Sequence, residues 1–446
     1  MSGVLFYNKC RIKTDVLTDI QLTEAEEKDV NFYDYDGFRL LSYTNAEALA
    51  LTELPINPAI NENLTFDEWN WTLAEIKTQI NNVGGVVNVG AIYHTTDDNT
   101  HITCKPTNTY PTAKIYLTPT VANAVTIDWG DGSTDTWTST GQETKSHTYT
   151  GVTDSSVYDI TISCSSGTYG FSGYIAGNSN GSCIYTDIRL SNKVTSLGTY
   201  CFYGCHFLQS ITIPSGITSL GNSCFFNCYS LQSITIPDTV TGLGTQCFQQ
   251  CHSLQSITLP GGITNLPDKC FLDCSSLQSI TLPSGVTSLG DYCFQNCNSL
   301  QSITIPNGVT SLGYQCVINC YFLQSISIPG SITNISDFCF GNCHSLQSVN
   351  ISSGVTNLSN SCFRYSYCLQ SITLPNSVTN INSQCFSDCY TLNKIYVKST
   401  TPPTLDSSAI PNNTNLVIYV PNGTLAAYQN ASNWSRYASK MVEYSF

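Results

Sequence analysis

Nine cysteines, Cys201, Cys224, Cys247, Cys270, Cys293, Cys316, Cys339, Cys362 and Cys385, stand at a strict interval of 23 residues. They mark a tandem repeat that fills about half of the 446-residue chain. One unit reads Leu231-Gln-Ser-Ile-Thr-Ile-Pro237, a short polar turn, Val240, Leu243 and Gly244, then Cys247-Phe248 and Cys251. A fixed period of this size means a solenoid, in which each unit buries its apolar edge against its neighbours. In the strand half, Leu208, Ile211 and Ile213 should face inward and Ser210 and Thr212 outward. The proline closing most strands (Pro214, Pro237, Pro260, Pro283, Pro306, Pro329, Pro375) removes a backbone donor and stops the strand. That punctuation matters for a segment that is apolar, uncharged and β-prone. Such an array presents an extended surface rather than a catalytic pocket.

Seventeen of the 22 cysteines fall in two columns, the nine above and Cys205, Cys228, Cys251, Cys274, Cys297, Cys320, Cys343 and Cys389. Ser366 takes the second-column slot of the eighth unit. Stacked rungs turn each column into a ladder of about 4.8 Å per step, where a small, weakly polar side chain packs well. Pairing neighbours would distort the stack, and a nine-member column cannot pair completely, so reduced, buried thiols are expected. The Cys-x₃-Cys spacing is not read as a metal site, because zinc needs four converging ligands and these run along a line.

The formal net charge is −14 and only 11% of residues are charged. Phosphate binding needs clustered Lys and Arg, so nucleic acid is not an expected partner. No stretch approaches about 18 consecutive apolar residues, so no membrane span is expected. Met1–Cys10 lacks the basic and apolar regions of a secretory signal, so either a signal has been trimmed from this sequence or the protein leaves the cell by another route.

Residues 1–100 read as a small α+β region. Val30–Asp36 alternates like a strand and ends at the turn signal Asp36-Gly37. Thr44/Glu47 and Thr72/Glu75 match capping boxes and predict helices over 45–52 and 72–82. Trp69 and Trp71 are expected as core or staple residues, and Gly84-Gly85 should open a strand from Val86 to Tyr93. Residues 101–167 read as a β-sandwich, with period-2 strands at Lys114–Thr118, Ala124–Asp128 and Val157–Ile162. The Trp129-Gly-Asp-Gly132 turn and the later His147-Thr-Tyr149 resemble the polycystic-kidney-disease (PKD) type of immunoglobulin-like module. Asp128 and Asp131 are read as turn residues bonding local N–H groups rather than as ion ligands. A Ser/Gly/Asn-rich linker is expected at 168–182, then repeats over 183–398 and a C-terminal cap over 399–446.

The unit Ile-x-x-Pro, Val/Ile, Leu-Gly, Cys-Phe and Cys resembles the BspA-like (Treponema-type) leucine-rich repeat, with Cys where that family often has Ala. The segment Asn415–Pro421, Leu425–Tyr428 and Asn433-Trp434 resembles the terminating segment of such arrays. The expected fold is therefore multidomain and mainly β. A leucine-rich-repeat solenoid follows an immunoglobulin-like β-sandwich and a small α+β N-terminal region. The resemblance implies surface proteins engaged in adhesion or recognition.

Comparing the units locates variation around the cysteine turn. The residue after the second column runs His206, Tyr229, His252, Ser275, Asn298, Tyr321, His344, Tyr367, Tyr390, and Tyr200, Tyr292 and Phe338 precede the first column. Aromatic residues on a rigid surface give large contact area at low entropic cost. The candidate binding residues are Tyr200, Tyr203, His206, Phe226, Tyr229, His252, Tyr292, Tyr321, Phe338, His344, Tyr365 and Tyr367. Unconstrained surface is the alternative reading of the same band. By contrast, Gln209 recurs through Gln370 and reads as a position dictated by packing.

No Ser-His-Asp order, paired-carboxylate cleft or phosphate-binding loop appears, so neither catalysis nor a cofactor is expected. The leading expectation is a bacteriophage tail- or fibre-associated receptor-binding protein that assembles in a bacterial cytoplasm. It would contact a host cell-surface glycan or protein, join other virion proteins through residues 1–100, and form a homo-oligomer. A bacterial cell-surface adhesin and a structural virion decoration protein are the alternatives.

Overall fold

Each 23-residue unit lays down two short strands joined by turns, and its neighbours repeat them in parallel one unit away. Ser233, Ile234 and Thr235 pair with Ser256, Ile257 and Thr258, and Ser325–Ile328 pairs with Ser348–Ile351 in the same manner. The computed structural model describes residues 30–33, 39–56, 64–82, 87–153, 155–173 and 184–446. The expected Asp36-Gly37 turn, the Gly84-Gly85 opening and Met1–Cys10 lie outside them. Within one unit Leu254, Ile257, Leu259, Ile263, Leu266, Cys270, Phe271 and Cys274 are all buried. The phenylalanines stack from rung to rung, Phe225–Phe248 at 5.3 Å and Phe248–Phe271 at 5.5 Å between centroids.

The seventeen column cysteines are free thiols, while Cys368, in neither column, is disulfide-bonded. Second-column thiols also act as donors. Cys228 Sγ donates to Phe202 O at 3.2 Å, Cys251 Sγ to Phe225 O at 3.2 Å and Cys274 Sγ to Phe248 O at 3.1 Å. Burial pushes the thiol pKa up to about 12 at Cys316, Cys343 and Cys389, so there the proton stays in place. Ser366 is fully buried and its Oγ has no partner, because the shorter C–O bond does not span a gap sized for sulfur. Ser366→Cys should therefore stabilise the protein by about 1 kcal/mol and Cys251→Ser destabilise it by about 1–2 kcal/mol in urea melts. A stabilising Cys251→Ser would show that the column is only a packing device. Thiol titration in denaturant should recover the column cysteines as free thiols.

Before the solenoid, β1 (Val30–Tyr33), β2 (Arg39–Tyr43), β3 (Leu64–Trp69) and β4 (Val87–Thr95) form a sheet of order 2-1-4-3. Helices α1 (Asn45–Ala50) and α2 (Leu73–Asn82) accompany it. Both capping boxes form: Glu47 N donates to Thr44 Oγ1 at 3.2 Å and Glu75 N to Thr72 Oγ1 at 3.3 Å, while each glutamate accepts from the cap N–H.

A two-sheet unit follows, made of β5 (Thr100–Lys105), β6 (Thr112–Pro119), β7 (Val125–Asp128), β8 (Thr134–Thr136), β9 (Glu143–Thr148), β10 (Tyr158–Cys164) and β11 (Tyr169–Phe171). Its Trp129–Gly132 turn is closed locally. Asp128 Oδ1 accepts from Gly130 N at 2.9 Å, Asp131 Oδ1 from Ser133 N at 3.0 Å, and His147 Nε2 lies 2.7 Å from Asp131 Oδ2. The Ser133 hydroxyl holds the Asp131 carboxyl below its usual range.

The stretch expected as a linker differs in its first residues. Tyr169 and Phe171 are fully buried, and β11 pairs antiparallel with β6 and parallel with β13 (Val194–Leu197). Likewise β12 (Ile184–Arg189) pairs with β5 on one side and with Ile211–Thr212 on the other. Both sheets of the preceding unit thus run on into the solenoid and cover the open edge of its first rung.

A second difference concerns the outward face of the strands. Thr212, Thr235 and Thr258 are buried rather than open, because β4 packs over them. A Cβ at Gly90 would come within 2.4 Å of the Thr235 side chain, so only glycine allows this approach. The strand-closing prolines explain how the contact is held. In a parallel ladder the carbonyl before the proline needs an N–H that the next rung's proline lacks. Where serine or lysine replaces proline the bond forms, Ser352 N to Ile328 O at 3.1 Å and Lys398 N to Leu374 O at 3.0 Å. Three carbonyls facing a proline are instead capped by side chains of the N-terminal unit. Asn70 Nδ2 donates to Ile236 O at 3.1 Å, Trp71 Nε1 to Leu259 O at 2.5 Å and Gln79 Nε2 to Leu282 O at 2.8 Å.

Candidate functional site

The cysteine turn holds two residues per rung in the left-handed region. The residue before the first column (Tyr200, Ser223, Gln246 through Gln384) has φ between 52° and 61°. The residue before the second column (Asn227 through Asp388) has φ between 58° and 63°, with Gly204 in the first unit. Asn and Asp dominate the latter set, as their tolerance of this region predicts. Alternate N–H groups then cross to the next rung: Gln246 N to Asp268 O at 3.1 Å, Phe248 N to Cys270 O at 2.9 Å, Gln250 N to Leu272 O at 2.8 Å. Every rung shares this strained backbone, so the strain belongs to the fold and marks no single position.

All twelve candidate residues lie on this flank. Tyr200, Tyr229 and His252 are exposed and the other nine half-buried. The rung spacing brings the column after the second cysteine into stacks. His206–Tyr229 centroids are 4.6 Å apart and Tyr229–His252 5.0 Å. Ser275 and Asn298 interrupt, and the stack resumes as Tyr321–His344 at 4.7 Å, His344–Tyr367 at 4.6 Å and Tyr367–Tyr390 at 5.7 Å. Burial lowers the pKa of His206 and His344, favouring neutral rings between the tyrosines.

Tyr203 stacks on Phe226 at 4.8 Å with Tyr200 edge-on at 5.6 Å. Tyr292 and Phe338 do not touch each other but meet through Tyr314, at 5.4 Å and 6.3 Å. Tyr365 lies beside Tyr367 under the Arg364 guanidinium, 4.4 Å from its ring centre. Tyr314, Phe207 and Phe322 extend the exposed aromatic surface beyond the twelve. The signal for the two phenylalanines was legible, since both stand where five of the other seven units have serine (Ser230, Ser253, Ser276, Ser299 and Ser345).

The Gln209-to-Gln370 column is exposed in all eight units, so packing does not dictate it. Among the described residues no group of three or more His, Cys, Asp or Glu is placed to hold a metal ion, and no helix is long and apolar enough to cross a membrane.

This geometry is that of a leucine-rich-repeat solenoid with an aromatic flank. Residues 174–301 and 264–393 match the BspA type leucine rich repeat region in six copies, and the repeat array belongs to that family. No curated protein matches the chain. Among solved structures it is similar to a leucine-rich repeat protein from Bacteroides ovatus, at 23% identity over 57% of this chain and 77% of the other, TM-score 0.37. A leucine rich cell surface protein from Faecalibacterium prausnitzii is 24% identical over 61% and 87%, TM-score 0.35. The pneumococcal vaccine antigen PcpA is 14% identical over 61% and 81%, TM-score 0.37.

Proposed function

We propose that the protein is a non-enzymatic recognition protein that attaches to a host cell surface through the aromatic flank. The observation carrying this reading is the pair of stacked Tyr/His ladders, His206–Tyr229–His252 and Tyr321–His344–Tyr367–Tyr390, held half-exposed on a rigid array. Preformed aromatic surface loses little entropy on binding. The ligand is a cell-surface glycan or protein. The seventeen free thiols favour assembly in a reducing compartment, which supports a phage tail- or fibre-associated protein. The family of the repeat supports a bacterial surface adhesin equally well. In a virion, the outer side of the N-terminal unit would meet neighbouring proteins, since its inner side is spent on the solenoid.

Replacing Tyr229, His252, Tyr321 and Tyr367 with alanine should weaken attachment to target cells by more than tenfold while leaving the fold's circular dichroism unchanged. Aromatic contacts of about 0.5–1.5 kcal/mol each add up to that loss. Undiminished attachment by the folded variant would remove the flank from the mechanism.

A further inference from the structure

Where the second ladder ends, the turn flank meets the C-terminal cap in an open cleft of about 680 Å³. Tyr390, 52% exposed, forms one wall, and Gln370, Asn393, Asn412, Asn413 and Asn415 supply amides around it. No charged residue lines the cleft. Asn413 is fixed by its own donors, Nδ2 bonding Cys389 O at 3.0 Å and Leu392 O at 2.8 Å, which leaves its carbonyl oxygen as the group to offer. The side chains of Gln370, Asn393, Asn412 and Asn415 make no hydrogen bond among the described residues. Their donors and acceptors are therefore available to a ligand. The Tyr390 hydroxyl is oriented by Asp388 Oδ1 at 3.2 Å, which sets the ring in place beside the amides.

An amide carries a donor and an acceptor side by side, which matches adjacent hydroxyls of a sugar. A tyrosine ring offers an apolar platform with a polar edge, suited to the C–H face of a pyranose. Without a cation in the lining, nothing in the cleft attracts an anionic ligand. From the cleft the exposed glutamine column Gln347, Gln324, Gln301 continues along the array, one amide per rung. We propose that this cleft binds a neutral sugar residue of a cell-surface glycan, Tyr390 beneath the ring and the surrounding amides on its hydroxyls. The proposal rests on the surface-recognition reading above and adds the chemical class of the ligand and a defined subsite for it.

The test uses the full chain in affinity gels containing mannan, galactan, dextran or soluble β-glucan, with hyaluronan as the anionic comparison. At least one neutral polysaccharide should retard the protein and hyaluronan should not. Tyr390→Ala and the doubly substituted Asn393→Ala/Asn412→Ala should each weaken that retardation about tenfold, the factor corresponding to the loss of one good contact. Asn412 is exposed, so Asn412→Ala alone serves if the other variants fold poorly. Tyr229→Ala/His252→Ala, several rungs away, is carried alongside as the ladder variant, and Val157→Ala, exposed on the two-sheet unit and outside both proposed sites, should bind polysaccharide normally.

Absence of retardation by every neutral gel, or equal retardation of cleft variants and parent, overturns the cleft. Attachment of all these proteins to cells is measured in parallel. Loss of attachment in the ladder variant without any polysaccharide binding overturns the cleft alone. Normal attachment of the ladder variant with cleft-dependent polysaccharide binding overturns the flank alone.

Discussion

Trp434→Ala is expected to cost about 3–5 kcal/mol, the range for emptying a large buried aromatic site, and to lower the melting temperature of the C-terminal rungs first. Trp434 is fully buried, its indole donates to Pro403 O at 2.7 Å, and Tyr428 packs edge-on at 5.3 Å. Tyr428, on helix α3 (Leu425–Asn430), donates its own hydroxyl to Ser399 O at 2.6 Å. The final strand, Met441–Tyr444, pairs with Val417–Pro421 and closes the sheet. Together these residues do for the last rung what the two-sheet unit does for the first. Deleting residues 399–446 should expose Ile395, Val397 and Leu392 and drive association, visible as a rising mass in light scattering. A shortened chain that stays monomeric and melts like the parent would show that the segment is not a cap.

The second large effect concerns pH. Asp238 is half-buried near the seam between the N-terminal unit and the solenoid, and its Oδ1 has no partner. Burial, then the nearby Glu75 and Glu68, push its pKa up to about 8. A raised carboxyl pKa means that the docked state holds a proton the undocked state releases. Docking is therefore fully stable below the ordinary Asp value of about 4, weakens as pH rises from there, and levels off above 8. Hydrogen exchange at Thr235 and Thr258 should accelerate between pH 5 and 9 relative to the intrinsic rate. Asp238→Asn should flatten that profile and slow exchange at the alkaline end. An unchanged profile in Asp238→Asn would discard the carboxyl as its cause.

The solenoid was legible because one period recurs with the same inward positions, and the two helices because Thr44/Glu47 and Thr72/Glu75 pair at the required spacing. The aromatic column was legible as a column, and the rung spacing then made stacks of it. The left-handed turn positions were not, since Tyr, Ser, Gln, Lys and Phe at the first site have no preference for that region. Trp71 was expected as a core or staple residue and is buried, yet its N–H crosses to a partner 188 residues away. Such a contact leaves no local trace. The prolines did carry a signal, because each one deprives a neighbouring carbonyl of its donor, and those carbonyls are where the N-terminal side chains attach.

The rung-to-rung bonds also bear on inheritance. Backbone N–H groups of the Gln column donate to the glutamine one unit before, as in Gln324 N to Gln301 O at 3.1 Å and Gln347 N to Gln324 O at 2.8 Å. Excising or duplicating 23 residues between Pro306 and Pro375 therefore restores an equivalent partner for each broken bond. An array that gains or loses one whole unit is thus not forced through an unfolded product. The rungs carrying Ile236, Leu259 and Leu282 have fixed addresses, set by Asn70, Trp71 and Gln79. Each unit gained or lost would move the cleft at Tyr390 relative to the His206 ladder by about 4.8 Å, a stepwise change in the distance between the two proposed contact points.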